Sequence, residues 1–232
     1  MKQSSSNNQI TWEKAKGHLR TITEHKFLVM QGCFRIGLYW QGLTHDLSKY
    51  MPSELLEGFR YYEDGKSSPN NAERIDKGYS EAWMHHKGRN RHHFEYWLDY
   101  RQPASASGMP AAEGRSARRS VRGEKKHVPG RETASCINGT ASGVPSPLQT
   151  VQMPRKYVAE MLMDRIAASK NYNKETYTHH DSLAYFEKGK GHYLMHPQTK
   201  KELHGMLRIL DERGEEELIR FVRDYYLKGY PI

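Results

Sequence analysis

The sequence predicts an all-α protein, a bundle of about six to eight helices with a long disordered insertion. Three observations lead there. Apolar residues recur at helical spacing through most of the chain, and no segment alternates apolar and polar residues over a useful length. Helix punctuation falls between those stretches, at Thr11, Pro52, Gly78, Pro154 and Gly214. Finally, residues 102–150 contain no Phe, Trp or Tyr and are dominated by Ala, Ser, Gly, Pro and Arg. Such a composition buries too little apolar surface to offset chain entropy.

Taken in order, residues 1–10 are rich in Ser, Asn and Gln and read as a disordered terminus. The first part of the helical domain covers 11–101. Thr11 caps a helix whose apolar stripe is Trp12, Ala15, Leu19, Ile22 and Leu28, with Gly32 as its break. His18 and His25, seven apart, share a face. A second helix carries Phe34 to Leu43 and ends near His45-Asp46. Pro52 opens a third, 53–62, with Leu55, Leu56, Phe59 and Tyr62 as its stripe. Glu54 and Glu57 read there as solvated acids of the first turn, with an outer-shell role for Glu54 as the minority reading. Residues 64–71 are loop chemistry. A fourth helix runs from Ala72 towards Tyr100, with Gly78 and Gly88 as candidate breaks.

Residues 102–150 form the insertion. The second part of the domain covers 151–232: a helix over 155–170, a loop with the exposed pair His179-His180, a short helix over 182–188 capped by Asp181, and an antiparallel pair over 198–213 and 215–228 that turns at Gly214.

Composition narrows the function classes. The net charge of +9 admits an anionic partner. The insertion holds seven basic residues against three glutamates, a surplus of four, so the remainder carries +5, which weighs against nucleic acid. Two cysteines, Cys33 and Cys136, make neither a disulfide framework nor a Cys-based zinc site and fit a reducing cytoplasm. The polar start has no apolar signal-peptide core, and the most apolar run, 27–43, is interrupted by Gln31, Arg35 and Gln41, so neither secretion nor membrane insertion is expected. Self-association into a homo-oligomer stays open.

His45-Asp46 sets an imidazole beside a carboxylate, a donor pair suited to Fe, Mn, Zn or Mg. The densest companion cluster lies at 83–97, with His85, His86, His92 and His93 among Trp and Tyr. In a continuous helix, 85/92 and 86/93 share faces; with a break at Gly88, the two pairs flank a basic turn. Asp164 lies beside the apolar stripe of 155–170 and needs a partner, either Arg165, Lys170 or a metal.

The chain order His25, His45-Asp46, the middle histidines and Asp164 resembles the HD-domain superfamily. The stretch His45-Asp46-Leu47-Ser48-Lys49 resembles its His-Asp-x-x-Lys signature. The resemblance implies an HD-domain-like helical bundle with His25, His45, Asp46 and Asp164 on a first divalent metal ion. One or two of His85, His86, His92 and His93 would hold a second. It also implies a small phosphorylated substrate, with Lys49 on its phosphate; Lys49, Arg89 and Arg91 offer charge to a phosphoryl transition state. Residues 42–50, 85–90 and 153–161 are similar to a bacterial family known only as a domain of unknown function, which implies that the insertion is peculiar to this member.

The leading expectation is a metal-dependent phosphohydrolase acting on a nucleotide or other small phosphate ester. The alternatives are an HD-type di-iron oxygenase and a non-enzymatic helical metal-binding module.

Overall fold

The structure is a computed structural model and describes residues 8–63, 68–101 and 146–230. The chain is mostly helical, with eight α-helices and one two-stranded sheet among the described residues. They are α1 (Trp12–Arg35), α2 (Tyr39–Thr44), α3 (Pro52–Tyr61), α4 (Pro69–Lys77), α5 (Glu81–Arg89), β1 (Leu98–Tyr100), β2 (Leu148–Thr150), α6 (Arg155–Asn173), α7 (His180–Gly189) and α8 (Pro197–Phe221). Among the described residues no helix is long and apolar enough to cross a membrane.

The expected disordered terminus (1–10) and insertion (102–150) fall for the most part on 1–7 and 102–145, outside the described residues. The C-terminal edge of the insertion departs from expectation. Leu148–Thr150 pair antiparallel with Leu98–Tyr100, and the Arg101 amide donates to the Pro147 carbonyl at 2.8 Å. Residues 98–101 and 147–150, which flank 102–145, therefore lie side by side.

α1 begins as its sequence dictates, with the Thr11 hydroxyl accepting from the Lys14 amide. It does not break at Gly32, where the absent side chain lets Met163 of α6 approach: a Cβ there would lie 2.8 Å from the Met163 sulfur. The break comes at Gly37, in the left-handed region at φ +81°. The buried face of α1 is His18, Ile22, His25, Val29 and Cys33; of the expected stripe only Ile22 is buried and Leu28 packs on the core, while Trp12 is 76% exposed. α3 differs in the same way, burying Glu54, Gly58 and Tyr61 and leaving Leu56 exposed. The expected fourth helix is two, separated at Gly78, and the second ends at Arg89 rather than at Gly88.

α6 is the central helix. Residues on every side of it, from Val158 to Met163 and on to Ile166 and Ala167, are buried, as expected of a helix surrounded by others. It packs with Val29 and Cys33 of α1, Phe186 of α7, and Leu203, Met206, Leu207 and Leu210 of α8 in one apolar core. Gly214, at φ +83° and ψ 174°, interrupts α8. A straight helix would set residues 202 and 226 about 36 Å apart, yet the Tyr226 hydroxyl donates to Glu202 Oε2 at 2.6 Å. The chain thus doubles back at Gly214, forming the antiparallel pair that the sequence predicts.

Candidate metal centre

Above the apolar core, α1 and α6 meet the α2–α3 connection and α5. His25 comes from the middle of α1. α2 ends at Thr44, and His45 and Asp46 occupy the turn that follows, Asp46 in the left-handed conformation at φ +52°. α5 delivers His86. The turn after Asn90 delivers His92 and His93. Glu160 and Asp164 lie four apart on one face of α6.

These side chains form two donor groups that share Asp46. His25, His45, Asp46 and Asp164 make the first; Asp46, His86, His92 and His93 make the second. In the first, Asp164 Oδ1 lies 3.0 Å from His25 Nε2 and 3.6 Å from His45 Nε2. Asp46 Oδ2 lies 3.3 Å from His45 Nε2 and 3.9 Å from His25 Nε2. In the second, Asp46 Oδ1 lies 3.2 Å from His86 Nε2 and 3.3 Å from His92 Nε2. Donors bound to one ion at about 2.0–2.2 Å stand about 2.8–3.6 Å apart at tetrahedral or cis-octahedral angles; five of these six distances fall in that range, and the sixth, between His25 and Asp46, is longer at 3.9 Å.

The orphaned atoms make the same point. Nε2 of His45, His92 and His93 and Oδ1 of Asp46 are buried without a well-formed hydrogen bond, while Asp46 Oδ2 meets Lys49 and His25 Nε2 meets Asp164. Several unsatisfied buried polar atoms at one point are costly unless something polar binds there. The Nδ1 atoms of His45, His92 and His86, by contrast, are partnered. Glu160 Oε1 lies 3.1 Å from His45 Nδ1 and 3.2 Å from His92 Nδ1, and Glu54 Oε2 lies 2.8 Å from His86 Nδ1. A carboxylate on Nδ1 holds the proton there and turns the Nε2 lone pair towards the shared point. The residues present therefore fit two divalent ions, one of which His25, His45, Asp46 and Asp164 would hold and the other Asp46, His86, His92 and His93.

The charges agree. Three buried carboxylates (Asp46, Glu54 and Glu160) and the half-buried Asp164 gather around Lys49, whose Nζ is 2.6 Å from Asp46 Oδ2. Burial opposes ionisation of Asp46, but His45, Lys49 and His86 outweigh it and hold the carboxyl well below the usual range. Asp164 is likewise held well down by His25 and His45 against the pull of burial. Burial opposes charge on His45 too, yet Asp46, Asp164 and Glu160 hold its imidazole well above its ordinary value; His86 is raised in the same manner by Asp46 and Glu54. Without metal, protons on these rings offset part of the negative charge.

A cavity of about 340 Å³ opens beside the centre, lined in part by His18, His25, Lys49, His86, His93 and Asp164. Trp83 and Tyr62 form aromatic walls, and Arg20 and Lys174 also line it.

Some expected site residues lie elsewhere. His85 is one position from His86, so it points about 100° around α5; its Nδ1 meets Glu54 Oε1 at 2.5 Å and it joins neither donor group. Arg89 and Arg91 are exposed and do not line the cavity. Arg91 donates to the Tyr157 hydroxyl at 3.3 Å and lies over the Tyr96 ring. The turn that sends His92 and His93 inward leaves the alternating arginines outside. The second group uses three histidines where one or two are expected. Asp164 is partnered by His25 and His45 rather than by Arg165 or Lys170.

Glu160 is absent from the sequence reading, although its i−4 spacing from Asp164 on a helix is a usable signal. Glu54 is buried against His85 and His86, so it is not the solvated acid that the sequence suggests. His179 and His180 are exposed and distant from the donor groups, His180 meeting Asp211 at 3.1 Å.

No curated protein and no solved structure matches this chain. One family model does, over residues 14–114 and 144–209, and the gap between those segments falls within the expected insertion. By that match, the chain belongs to DUF5662, a family of unknown function.

Proposed function

We propose that this protein is a two-metal-dependent phosphohydrolase acting on a nucleotide or other small phosphate ester, with a ligand order like that of the HD-domain superfamily. The observation that carries the reading is Asp46, whose two oxygens face two different donor groups beside a cavity that also contains Lys49. Divalent ions held by these two groups would supply Lewis-acid polarisation of a phosphoryl oxygen and a lowered pKa for an attacking water. The chain supplies the rest. Glu54 and Glu160 fix the imidazoles. Burial keeps competing water from the ligands. Lys49, held charged by Asp46 and Asp164 against burial, stands where an equatorial phosphate oxygen gains charge.

The donor set also narrows the metal. Five imidazoles and two carboxylates suit Fe, Mn or Zn better than Mg, which prefers oxygen and water. The three-histidine second group supports a second reading, an HD-type di-iron oxygenase. Oxygen uptake and a visible absorption band separate it from hydrolysis.

The test is hydrolysis of p-nitrophenyl phosphate and nucleoside monophosphates by protein loaded with Mn(II), Fe(II) or Zn(II). The expected result is metal-dependent phosphate release that Asp46→Ala abolishes and that Lys49→Met lowers by about 10²-fold with metal retained. Metal-loaded protein that releases no phosphate from any ester rules the hydrolase out.

A further inference from the structure

His18 is the titratable group that the metal centre leaves unexplained. It is 8% exposed, and no hydrogen bond or ion pair reaches either ring nitrogen; Nδ1 is fully buried without a partner. A buried polar group left this way costs stability and calls for a reason. The surroundings are arranged to keep it in place. Phe59 and Tyr62 meet its ring edge-on, with centroids at 5.9 and 6.0 Å. Gly58 lies against Nε2 so closely that any Cβ there would collide with the ring. His18 lines the same cavity as His25, Lys49 and Asp164, between the aromatic walls of Tyr62 and Trp83. It lies on the face of α1 that bears His25, seven residues earlier, about 10 Å away along the helix axis. That separation is too long for contact with a phosphoryl group at the metals and suits the far end of a bound ester.

We propose that His18 is a specificity-determining residue that hydrogen-bonds a neutral donor–acceptor group on the alcohol portion of the substrate, about 10 Å from its phosphate. The proposal rests on the phosphohydrolase reading of the adjoining centre. Burial, seconded by Lys49, pushes the imidazole down to about 4, so near neutrality the ring is uncharged; Nδ1 is sealed off, which leaves Nε2, beside the cavity-lining Gly58, to give or accept one hydrogen bond according to tautomer. It therefore selects a hydroxyl, an amide or a ring-nitrogen edge rather than a second anion. Esters too short to reach it gain nothing from it.

The test uses full-length, Mn-loaded protein, with p-nitrophenyl phosphate as the short probe and adenosine and uridine monophosphates as long ones. Wild type is compared with His18→Leu, which removes both ring nitrogens, and His18→Gln, which keeps a donor and an acceptor. The expected result is that the ratio of kcat/KM for the better long ester to that for the short one falls at least tenfold in His18→Leu, mainly through KM, and partly recovers in His18→Gln. His18→Leu is also expected to keep its metal content and a melting temperature at or above wild type, since it removes an unsatisfied group. An unchanged ratio in His18→Leu overturns the proposal; if that protein loses its fold, His18→Phe, which keeps a ring without nitrogen, is read in its place by the same criterion. If metal-loaded wild type turns over no ester, the hydrolase reading fails separately. The proposal is then judged by calorimetric binding of the same esters: tenfold weaker binding of the long ester to His18→Leu upholds it, and equal binding, or no binding to wild type, overturns it.

Discussion

Asp46 holds a backbone conformation that costs a residue with a side chain about 1–2 kcal/mol, and it is one of two non-glycine residues described at positive φ. The turn aims the carboxylate so that each oxygen faces a different set of imidazoles. Glu160 is as consequential one layer out, since it touches both His45 and His92 on the nitrogens that face away from the centre. Glu160→Gln is expected to weaken metal binding about 10–100-fold, measured by competition with a chelator of known affinity. Protonation belongs to the same scale. His45 and His86 are raised above their ordinary range, so the metal-free protein holds protons that a metal must displace. Metal affinity is then weakest at acid pH and grows as pH rises through the raised values. Calorimetry at pH 7 in buffers of different ionisation enthalpy is expected to show net proton release on binding; its absence contradicts the charge account.

At the scale of elements, α1 and α3 are keyed together by two glycines. Gly58 admits His18, and Gly17 admits the ring of Tyr62. Gly58→Ala is expected to destabilise by about 1–3 kcal/mol, read as a lower urea midpoint with an unchanged slope.

The same two helices show why part of the molecule was legible in the sequence and part was not. Helix positions follow from caps and breakers, and His25, His45-Asp46 and Asp164 follow from their order along the chain. The buried faces of α1 and α3 do not, because they contain His18, His25 and Glu54, polar residues that an apolar stripe excludes by construction. Arg89 and Arg91 are misplaced for a related reason. Their charge suits a phosphate, but their direction is set by the end of α5 at Asn90. Glu160 needs the knowledge that two imidazoles, distant in sequence, arrive on its side of α6.

For the whole molecule, the apolar core joins residues from both sides of the insertion, among them Val29, Cys33, Val158 and Leu210. β1 and β2 bring the segments that flank residues 102–145 to hydrogen-bonding distance. Replacing 102–145 by a two-residue Asn-Gly turn is therefore expected to preserve metal content and to leave the melting temperature within a few degrees of wild type, as checked by calorimetry. Loss of metal from that variant contradicts a centre built from the flanking segments alone. A metal that binds only the folded chain is expected to add about 2.7 kcal/mol of stability at 100 times its Kd.

The central claim is that two ions share Asp46. Its most direct test is elemental analysis of untagged protein, reconstituted and freed of loose metal, with Asp46→Ala measured beside the wild type. The account predicts two divalent ions per chain in the wild type and loss of both in Asp46→Ala. A wild type that holds less than about one ion per chain, or an Asp46→Ala protein with undiminished metal, contradicts it.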